Sequence, residues 1–416
     1  MRPVTGVVLA GLVVVLAGIA VLTLGGGGTP DGQLTERWIS DTARNNTVNH
    51  HAVGIGSDGE VIVAPVATIA ADNSRLSPTS CSLNRLAPGD GGVGWQTTTP
   101  PADCFMHALT EPAIADVDGD GTTEVVAATI RNATIAYSAA DGSEEFRVPL
   151  STYGYSKPTI GNVTAASGPE IVTSDIDGHV VVAGGDGEVY WTRSLNETVW
   201  AAPAVGDIDA DGQQEVVVGT NERTVALNAD GSLAWTTDIA AEDLDVGQVD
   251  DEEAIEVFTA SGSGVTAMDG ADGGVDWTHE VRGGASLSLH AIGEAGKDGP
   301  LRVYFSEPGN IVGALDATSG EQAWSTRLGP EENTMTPAPV VGDLTGDGTA
   351  ELVTVTNGGT ITVLSPDSGS QLAVYQRDVP VWTFPTVADV TEDPGAEVFV
   401  IYGDGRITSL DYTEGS

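Results

Sequence analysis

A motif of about twenty residues recurs along the chain, and this repetition constrains the fold more than any other feature. One copy reads AAPAVGDIDADGQQEVVVGT from residue 201, and others begin at residues 111, 157, 243, 289, 338 and 384. A degenerate copy, HAVGIGSDGEVIVAPV, begins at residue 51 and brings the total to eight. A spacing of about 45 residues indicates a ring or array of small repeated units rather than one continuous core.

Each copy continues into two further short, strand-like runs separated by Asp/Gly turns. The last run of each copy carries one aromatic residue, and these are Trp95, Phe146, Trp191, Trp235, Trp277, Trp324 and Tyr375. Four short strands per repeat of this length are typical of one β-propeller blade. We interpret the aromatic residues as packing between neighbouring blades rather than as contacts to a cofactor.

The last copy lacks its fourth strand, because the chain ends there with RITSLDYTEGS. The segment LTERWISDT, from residue 34, supplies a strand with Trp38 at the aromatic position. The sequence therefore predicts an all-β, eight-bladed β-propeller of four-stranded antiparallel blades over residues 34–416. In this fold the N-terminal strand closes the last blade and leaves no open sheet edge between the termini.

An apolar segment precedes the repeats. Residues 4–24 are uncharged, and a helix of that length spans about 31 Å, close to the thickness of a bilayer core. Arg2 lies before this segment and an acidic chain follows it, so the positive-inside rule places the repeats outside the cell. We predict a single-pass membrane anchor over residues 1–24 and a Gly-rich linker over residues 25–33; a cleaved signal peptide is the alternative.

The chain is strongly acidic, with a formal net charge of −44. Such a surface repels nucleic acid and anionic lipid, and it suits a protein adapted to high salt, where charge repulsion is screened. The extracellular assignment also agrees with four Asn-x-Ser/Thr sequons, which predict a glycoprotein. These are Asn45, Asn132, Asn162 and Asn196.

The repeats resemble two known families. GALDATSGEQAWSTRL, from residue 313, and VTAMDGADGGVDWTHEV, from residue 265, resemble the repeat of PQQ-type quinoprotein propellers. DVDGDGTTE and DIDADGQQE resemble the calcium loops of FG-GAP repeats. Together with the acidic composition, the resemblance is to a propeller of haloarchaeal type, and it implies an architecture more than an activity.

Oxygen ligands alternate in these loops around a glycine bend, which suits a hard cation such as Ca²⁺. The loops join the first and second strands of a blade. The predicted ligands are Asp116, Asp118, Asp120, Thr122 and Glu124 in one loop, Asp207, Asp209, Asp211, Gln213 and Glu215 in a second, and Asp343, Thr345, Asp347, Thr349 and Glu351 in a third. Acidic turns without a metal ion are the alternative.

The opposite face of the ring carries the second set of candidates. Cys81 lies in a long loop of the first blade and Cys104 lies in the crossing to the second blade, so we predict a disulfide, with two unlinked thiols as the alternative. Trp200, Trp382 and Tyr155 precede the innermost strands, and His107 lies nearby. They would line the channel mouth and contact a sugar or peptide, or else pack in the core.

Three functions are compatible with these features. The sequence favours a non-enzymatic binding or scaffold propeller, stabilised by Ca²⁺, that contacts a cell-surface protein or glycan. A quinoprotein dehydrogenase is an alternative, but PQQ is not expected, because the chain lacks the adjacent cysteine pair of that family. A calcium-dependent polysaccharide lyase or hydrolase is the other alternative, and no catalytic residue could be assigned.

Overall fold

The computed structural model describes residues 32–44, 49–67, 80–250, 252–281, 287–297, 299–330 and 336–415. Within these ranges the regular secondary structure consists of strands, which form eight sheets of four strands each. All strand pairs within the sheets are antiparallel, and each sheet is one blade of a β-propeller. The predicted fold, blade number and blade composition are confirmed.

The first four blades use consecutive strands. Blade 1 comprises β2 (Gly54–Ile55), β3 (Ile62–Val66), β4 (Ser82–Leu86) and β5 (Val93–Gln96). Blade 2 comprises β6 (Ala113–Ala115), β7 (Glu124–Thr129), β8 (Ala133–Ser138) and β9 (Glu144–Pro149). Blade 3 comprises β10 (Thr159–Gly161), β11 (Glu170–Ser174), β12 (His179–Ala183) and β13 (Val189–Ser194). Blade 4 comprises β14 (Ala204–Gly206), β15 (Glu215–Gly219), β16 (Thr224–Leu227) and β17 (Leu233–Thr237).

Three more blades follow the same order, and the eighth does not. Blade 5 comprises β18 (Asp243–Gly247), β19 (Glu256–Ser261), β20 (Gly264–Asp269) and β21 (Val275–Glu280). Blade 6 comprises β22 (Ser288–Glu294), β23 (Leu301–Glu307), β24 (Ile311–Asp316) and β25 (Gln322–Arg327). Blade 7 comprises β26 (Val340–Gly342), β27 (Glu351–Val355), β28 (Thr360–Leu364) and β29 (Gln371–Gln376). Blade 8 comprises β30 (Thr386–Ala388), β31 (Glu397–Ile401), β32 (Ile407–Thr413) and β1 (Gln33–Ile39).

The ring closes through blade 8. Strand β1 pairs antiparallel with β32, from Gln33 opposite Thr413 to Ile39 opposite Thr408, with a bulge before Trp38. The closing strand begins at Gln33, the last residue of the predicted linker. The predicted anchor over residues 1–24 lies outside the described residues, and no helix among the described residues is long and apolar enough to cross a membrane.

Neighbouring blades are joined by the aromatic residues of their outermost strands. Each of six tryptophans donates its indole N–H to a carbonyl in the turn between the third and fourth strands of the next blade, over 2.6–2.9 Å. These are Trp38, Trp95, Trp191, Trp235, Trp277 and Trp324. The ring lies against a glycine of that turn; a Cβ on Gly91 (φ +68°) would lie 2.4 Å from Trp38. The aromatic positions therefore pack blade against blade, as predicted.

The hydrophobic core lies between the blades. The second strand of a blade, such as β15 or β27, is buried along its whole length because another blade covers each of its faces. In the contact between blades 3 and 4, Val172 and Val182 pack with Val216 and Val225. After the glutamate at its start, such a strand is rich in β-branched residues, as expected for a strand buried on both faces.

Candidate binding face and metal loops

The hairpin loops between the first and second strands share a hydrogen bond from side chain to backbone. In six blades a glutamate at the start of the second strand accepts, through Oε2, the backbone N–H seven residues earlier, over 2.7–3.2 Å. These residues are Glu124, Glu170, Glu215, Glu256, Glu351 and Glu397. In blade 6, Arg302 takes this place and pairs with Asp316 over 2.8 Å. The glutamate therefore fixes the backbone of the loop even in blades whose loop contains few other acidic residues.

Replacing Glu170 by alanine is expected to lower the free energy of unfolding by about 2 kcal/mol, because buried backbone donors lose their acceptor. Glu170 is 1% exposed and accepts from Val163 and Thr164 in a loop without the alternating aspartates. Urea denaturation without added calcium measures this effect. Glu188→Ala, at an exposed turn, is the control, and equal losses in both variants would contradict this role for Glu170.

In two of the three predicted calcium loops, the acidic side chains lie close together. Ligand atoms of Asp116, Asp118 and Glu124 lie within 4.8 Å of one another, as do those of Asp207, Asp209 and Glu215. The aspartate that opens each loop also accepts backbone N–H groups across the glycine bend, as in Gly121 to Asp116 Oδ2 over 3.0 Å. The Oδ1 atom of Asp207 is buried and has no hydrogen-bond partner among the described residues.

The remaining predicted ligands occupy other positions. Asp120 accepts from the backbone and hydroxyl of Thr122, over 2.7 and 2.6 Å, and Asp211 accepts from both nitrogens of Gln213. In the third loop Asp343 accepts from Gly346 and Gly348, and Asp347 accepts from Thr349. Among the described residues, the acidic groups of this third loop do not form a cluster of three. Thr345 lies in the same loop and donates its backbone N–H to Oδ1 of Asp343.

Burial and crowding of negative charge raise the pKa of the glutamates in these loops. The pKa of Glu215 rises to about 7, chiefly through burial and then through Asp209. The pKa of Glu351 also rises to about 7, through burial and then Asp343. The pKa of Glu124 is raised for the same principal reason. These loops therefore hold more negative charge than their surroundings stabilise.

A disulfide joins the two cysteines on the opposite face. Cys81 and Cys104 are bonded, with their Cα atoms 5.3 Å apart, and the predicted pairing is confirmed. Cys81 lies at the end of the β3–β4 loop and Cys104 lies in the crossing from β5 to β6. The bond therefore fixes the crossing that carries Phe105 and His107.

An aromatic and imidazole cluster occupies the channel mouth on this face. We call it the mouth cluster; its rings are His50, His51, Phe105, His107, Tyr153, Tyr155 and Trp382. His50 is stacked on Trp382 with centroids 5.7 Å apart, and His107 lies 4.8 Å from Tyr155. His51 contacts both His107 and Tyr155 edge to face. Three of the four predicted face residues meet here, and the fourth, Trp200, is 39% exposed in the neighbouring blade 4.

The histidines of the mouth cluster are neutral at physiological pH. Burial, followed by His107 and His50, lowers the pKa of His51 to about 3, and burial and then His50 lower the pKa of His107 to about 4. Burial also lowers the pKa of His50. A second cationic charge is unfavourable when imidazole rings lie this close together.

Charged groups line the channel beneath the mouth cluster. Lys157 of blade 3 forms an ion pair with Glu111 of blade 2 over 2.6 Å. His290 of blade 6 stacks on Phe384 of blade 8, with centroids 4.1 Å apart. Asp243 of blade 5 accepts the backbone N–H of Leu289 over 3.2 Å. The channel thus brings together acidic, basic and aromatic groups from five blades.

Asp243→Asn is expected to stabilise the fold by about 2 kcal/mol at pH 8 and to have little effect at pH 4. Burial, and then Glu242, raises the pKa of Asp243 to about 7, above the unfolded value of about 3.9. The folded chain therefore keeps a proton that the unfolded chain has lost, so wild-type stability falls as the pH rises from about 4 to 7 and then levels off. Asp243 is partly exposed, so solvent screens its charge. The expected change in the free energy of unfolding is therefore smaller than for a fully buried carboxylate.

Denaturation at several pH values measures this effect, with Asp238→Asn at an exposed position as the control. A difference between Asp243→Asn and wild type that does not change with pH would contradict the assignment.

Sequence reasoning missed most of these channel residues, although the repeat contains a signal for them. In four loops the residue five positions before the first loop position is one of the channel residues, namely Glu111, Lys157, Asp243 and Phe384. In three loops the residue seven positions before is aromatic, namely Tyr155, Trp200 and Trp382. Only this second set is among the binding-face residues that the sequence analysis predicts. Charge at this position, close to the start of an innermost strand, is a signal for Glu111, Lys157 and Asp243 but not for Phe384.

The ring of eight blades, with each outermost tryptophan docked on the next blade, defines the chain as a β-propeller of PQQ-like repeats. The chain belongs to the family whose model is described as outer membrane protein assembly factor BamB, which matches residues 156–294 and 308–416. No curated protein sequence matches the chain.

Several solved structures share the fold. BamB from Moraxella catarrhalis is 16% identical, with a TM-score of 0.63, over 91% of this chain and 97% of that chain. The quinohemoprotein alcohol dehydrogenase ADHIIG from Pseudomonas putida HK5 is 12% identical, with a TM-score of 0.64, over 93% and 77%. Sqt1 from Saccharomyces cerevisiae is 10% identical, with a TM-score of 0.66, over 92% and 100%. At such identities the likeness shows the fold alone.

Proposed function

We propose that this protein is a non-enzymatic binding propeller, held at the outer surface of the cell membrane by one N-terminal helix and stabilised by calcium in its hairpin loops. Its partner is a cell-surface protein or glycan that contacts the face of the mouth cluster. The observation that carries the proposal is the convergence of aromatic side chains at the channel mouth, beside the exposed Trp200.

The composition of this face suits recognition. Aromatic rings offer large apolar surfaces, while tryptophan and tyrosine add a polar group, so such residues are enriched at binding sites. The rings come from blades 1, 3 and 8 and from the crossing to blade 2, and the disulfide fixes that crossing. A surface held in this way needs little ordering when it binds, which favours affinity.

The calcium part of the proposal rests on two loops, one that begins at Asp116 and one that begins at Asp207. Each gathers three carboxylates, and the buried Oδ1 of Asp207 provides an unused oxygen donor. Carboxylate oxygen is the donor that Ca²⁺ prefers, and a bound ion would offset the crowded negative charge. Asp118, Asp209, Glu124 and Glu215 would complete the two ligand sets. The loop that begins at Asp343 is a weaker candidate for a calcium site, since its carboxylates do not form such a cluster.

The location part of the proposal rests on sequence. The apolar segment 4–24 and the acidic charge beyond it favour an anchor with the ring outside. A disulfide agrees with an oxidising compartment. Three of the four sequons, Asn132, Asn162 and Asn196, are exposed, so they are accessible for glycosylation. The net charge of −44 supports a high-salt environment and disfavours nucleic acid as a partner.

The structure gives less support to a quinoprotein dehydrogenase. The likeness to a quinohemoprotein alcohol dehydrogenase is one of fold, and the two cysteines of this chain are 23 residues apart rather than adjacent. A polysaccharide lyase or hydrolase is not favoured by any specific group of residues. The binding function therefore remains the best supported.

Site-specific photo-crosslinking tests the binding face. A photoreactive residue replaces Trp200 in the full-length protein, and irradiation follows in intact cell envelopes at high salt. The matched control replaces Tyr190, which is similarly exposed (41% against 39%) but lies on the outermost strand of blade 3. We expect a discrete adduct from position 200 and none from position 190.

Protease or glycosidase treatment of the adduct then distinguishes a protein partner from a glycan. The same adducts from both positions, or none from position 200, would overturn the proposed binding face.

A further inference from the structure

Three of the six histidines of this chain meet at the channel mouth. His50 and His51 precede β2 of blade 1, and His107 lies in the crossing to blade 2. Nε2 of His51 and Nδ1 of His107 face each other at 3.3 Å. At this distance the two imidazoles are close enough to share a hydrogen bond, with donor and acceptor set by their tautomers.

We propose that His51 and His107 form a binding site for a divalent transition-metal ion of the zinc class. Zinc binds imidazole nitrogen at about 2.0–2.1 Å, so two ligands at a tetrahedral angle have nitrogens about 3.3 Å apart. The observed separation of 3.3 Å matches this distance. The ring of His50, 5.3 Å from that of His107, is the nearest further imidazole, and water completes the coordination.

The chemistry of these donors separates this site from the hairpin loops. Imidazole nitrogen favours zinc, copper or nickel, whereas carboxylate and carbonyl oxygen favour calcium or magnesium. The two histidines offer neutral nitrogen ligands, since imidazole binds a metal ion in its uncharged form. Their residues keep partial exposure, so an ion can enter from the solvent at the channel mouth.

Both segments that carry the ligands are fixed by the fold. Asn49, two residues before His51, is fully buried; it donates to the carbonyl of Gly403 over 2.9 Å and accepts from the backbone of Ala67 over 2.7 Å. Cys104, three residues before His107, is held by the disulfide. Metal sites require this support, because ligands must be held near the productive geometry.

The competing explanation is a hydrogen bond between the two imidazoles without any metal function. A zinc titration of the EDTA-treated, full-length protein separates the two, with excess calcium present to saturate the carboxylate loops. A chromophoric chelator reports free zinc. The variants are His51→Gln and His107→Gln, and His179→Gln, in the third strand of blade 3, is the matched control.

We expect one zinc ion per chain, with affinity reduced more than about tenfold in His51→Gln and in His107→Gln and unchanged in His179→Gln. Cobalt bound to the wild type should show the intense visible bands of a tetrahedral nitrogen site. Absence of zinc binding, or binding equal in all three variants, would overturn the proposal.

A measurement on the wild type covers the case in which a variant fails to fold. Diethyl pyrocarbonate modifies accessible histidines, and mass spectrometry locates the modification. Zinc should protect His51 and His107 while leaving His179 reactive. Equal modification with and without zinc would contradict the site.

Discussion

Replacing Trp38 by alanine is expected to lower the free energy of unfolding by about 3–5 kcal/mol, the usual loss for a large buried aromatic residue. Trp38 is 6% exposed, lies 5.9 Å from Phe399, and donates its indole N–H to Pro88 over 2.8 Å. It is also one of the residues through which blade 8 packs against blade 1. The substitution therefore weakens the closing strand and the final contact between blades together.

Chemical denaturation measures this loss, and two variants serve as controls. Ile39→Ala, on the same strand but 37% exposed, should cost less than about 1 kcal/mol. Trp38→Phe keeps most of the apolar contact and loses the hydrogen bond, so it should fall between the two. A Trp38→Ala protein as stable as Ile39→Ala would show that the ring does not depend on this closure.

Saturating calcium is expected to raise the free energy of unfolding by several kcal/mol, and EDTA should reverse the gain. At a calcium concentration of 100 times the dissociation constant, each occupied loop contributes about 2.7 kcal/mol. Asp116→Asn and Asp207→Asn should each remove about one such contribution, because each loop then loses the carboxylate that opens it. Thermal and chemical unfolding with calcium or EDTA measure the gain.

The controls for calcium are two other aspartates. Asp141→Asn changes an exposed turn between the third and fourth strands, where the side chain accepts from Ser143. Asp343→Asn changes the loop whose carboxylates do not gather. Both variants should keep the full calcium response. A response that survives in the double variant Asp116→Asn/Asp207→Asn would place the calcium elsewhere.

The blade architecture was accessible to sequence reasoning because each blade is local. Four consecutive strands pair with each other, so the repeat period alone predicted seven of the eight sheets. The eighth required one long-range inference, and Trp38 supplied it because its position in LTERWISDT matches the aromatic position of every other blade. The disulfide followed from the same assignment of loops to faces.

The residues of the channel could be predicted from the sequence only in part, because their contacts join residues that the repeat places in different blades. His50 stacks on Trp382 across the closure, and Lys157 pairs with Glu111 between blades 2 and 3. Such contacts depend on the radius of the ring and on side-chain direction, which periodicity does not specify. Aromatic residues were selected at the mouth, while the charged residues deeper in the channel were missed.

The hairpin glutamates show a second limit of sequence reasoning. Their spacing from the first aspartate predicted metal ligands, and the structure shows that they also accept a backbone N–H in loops such as that of Glu170. One residue type at one position thus suits two roles, the backbone acceptor that the structure shows and the metal ligand that we propose. Sequence spacing alone could not separate them, because both need a carboxylate at the same place.

The pairing of β1 with β32 also sets an order of events during synthesis. Seven blades can form as soon as their own strands have emerged, whereas the first strand of the chain must wait for residue 413, its partner near the other end. Until then β1 has no partner strand, although the turn of blade 1 that accepts the indole N–H of Trp38 is already complete. Ring closure is therefore the last and most non-local step of folding, and incomplete chains expose an unpaired edge open to association with other chains.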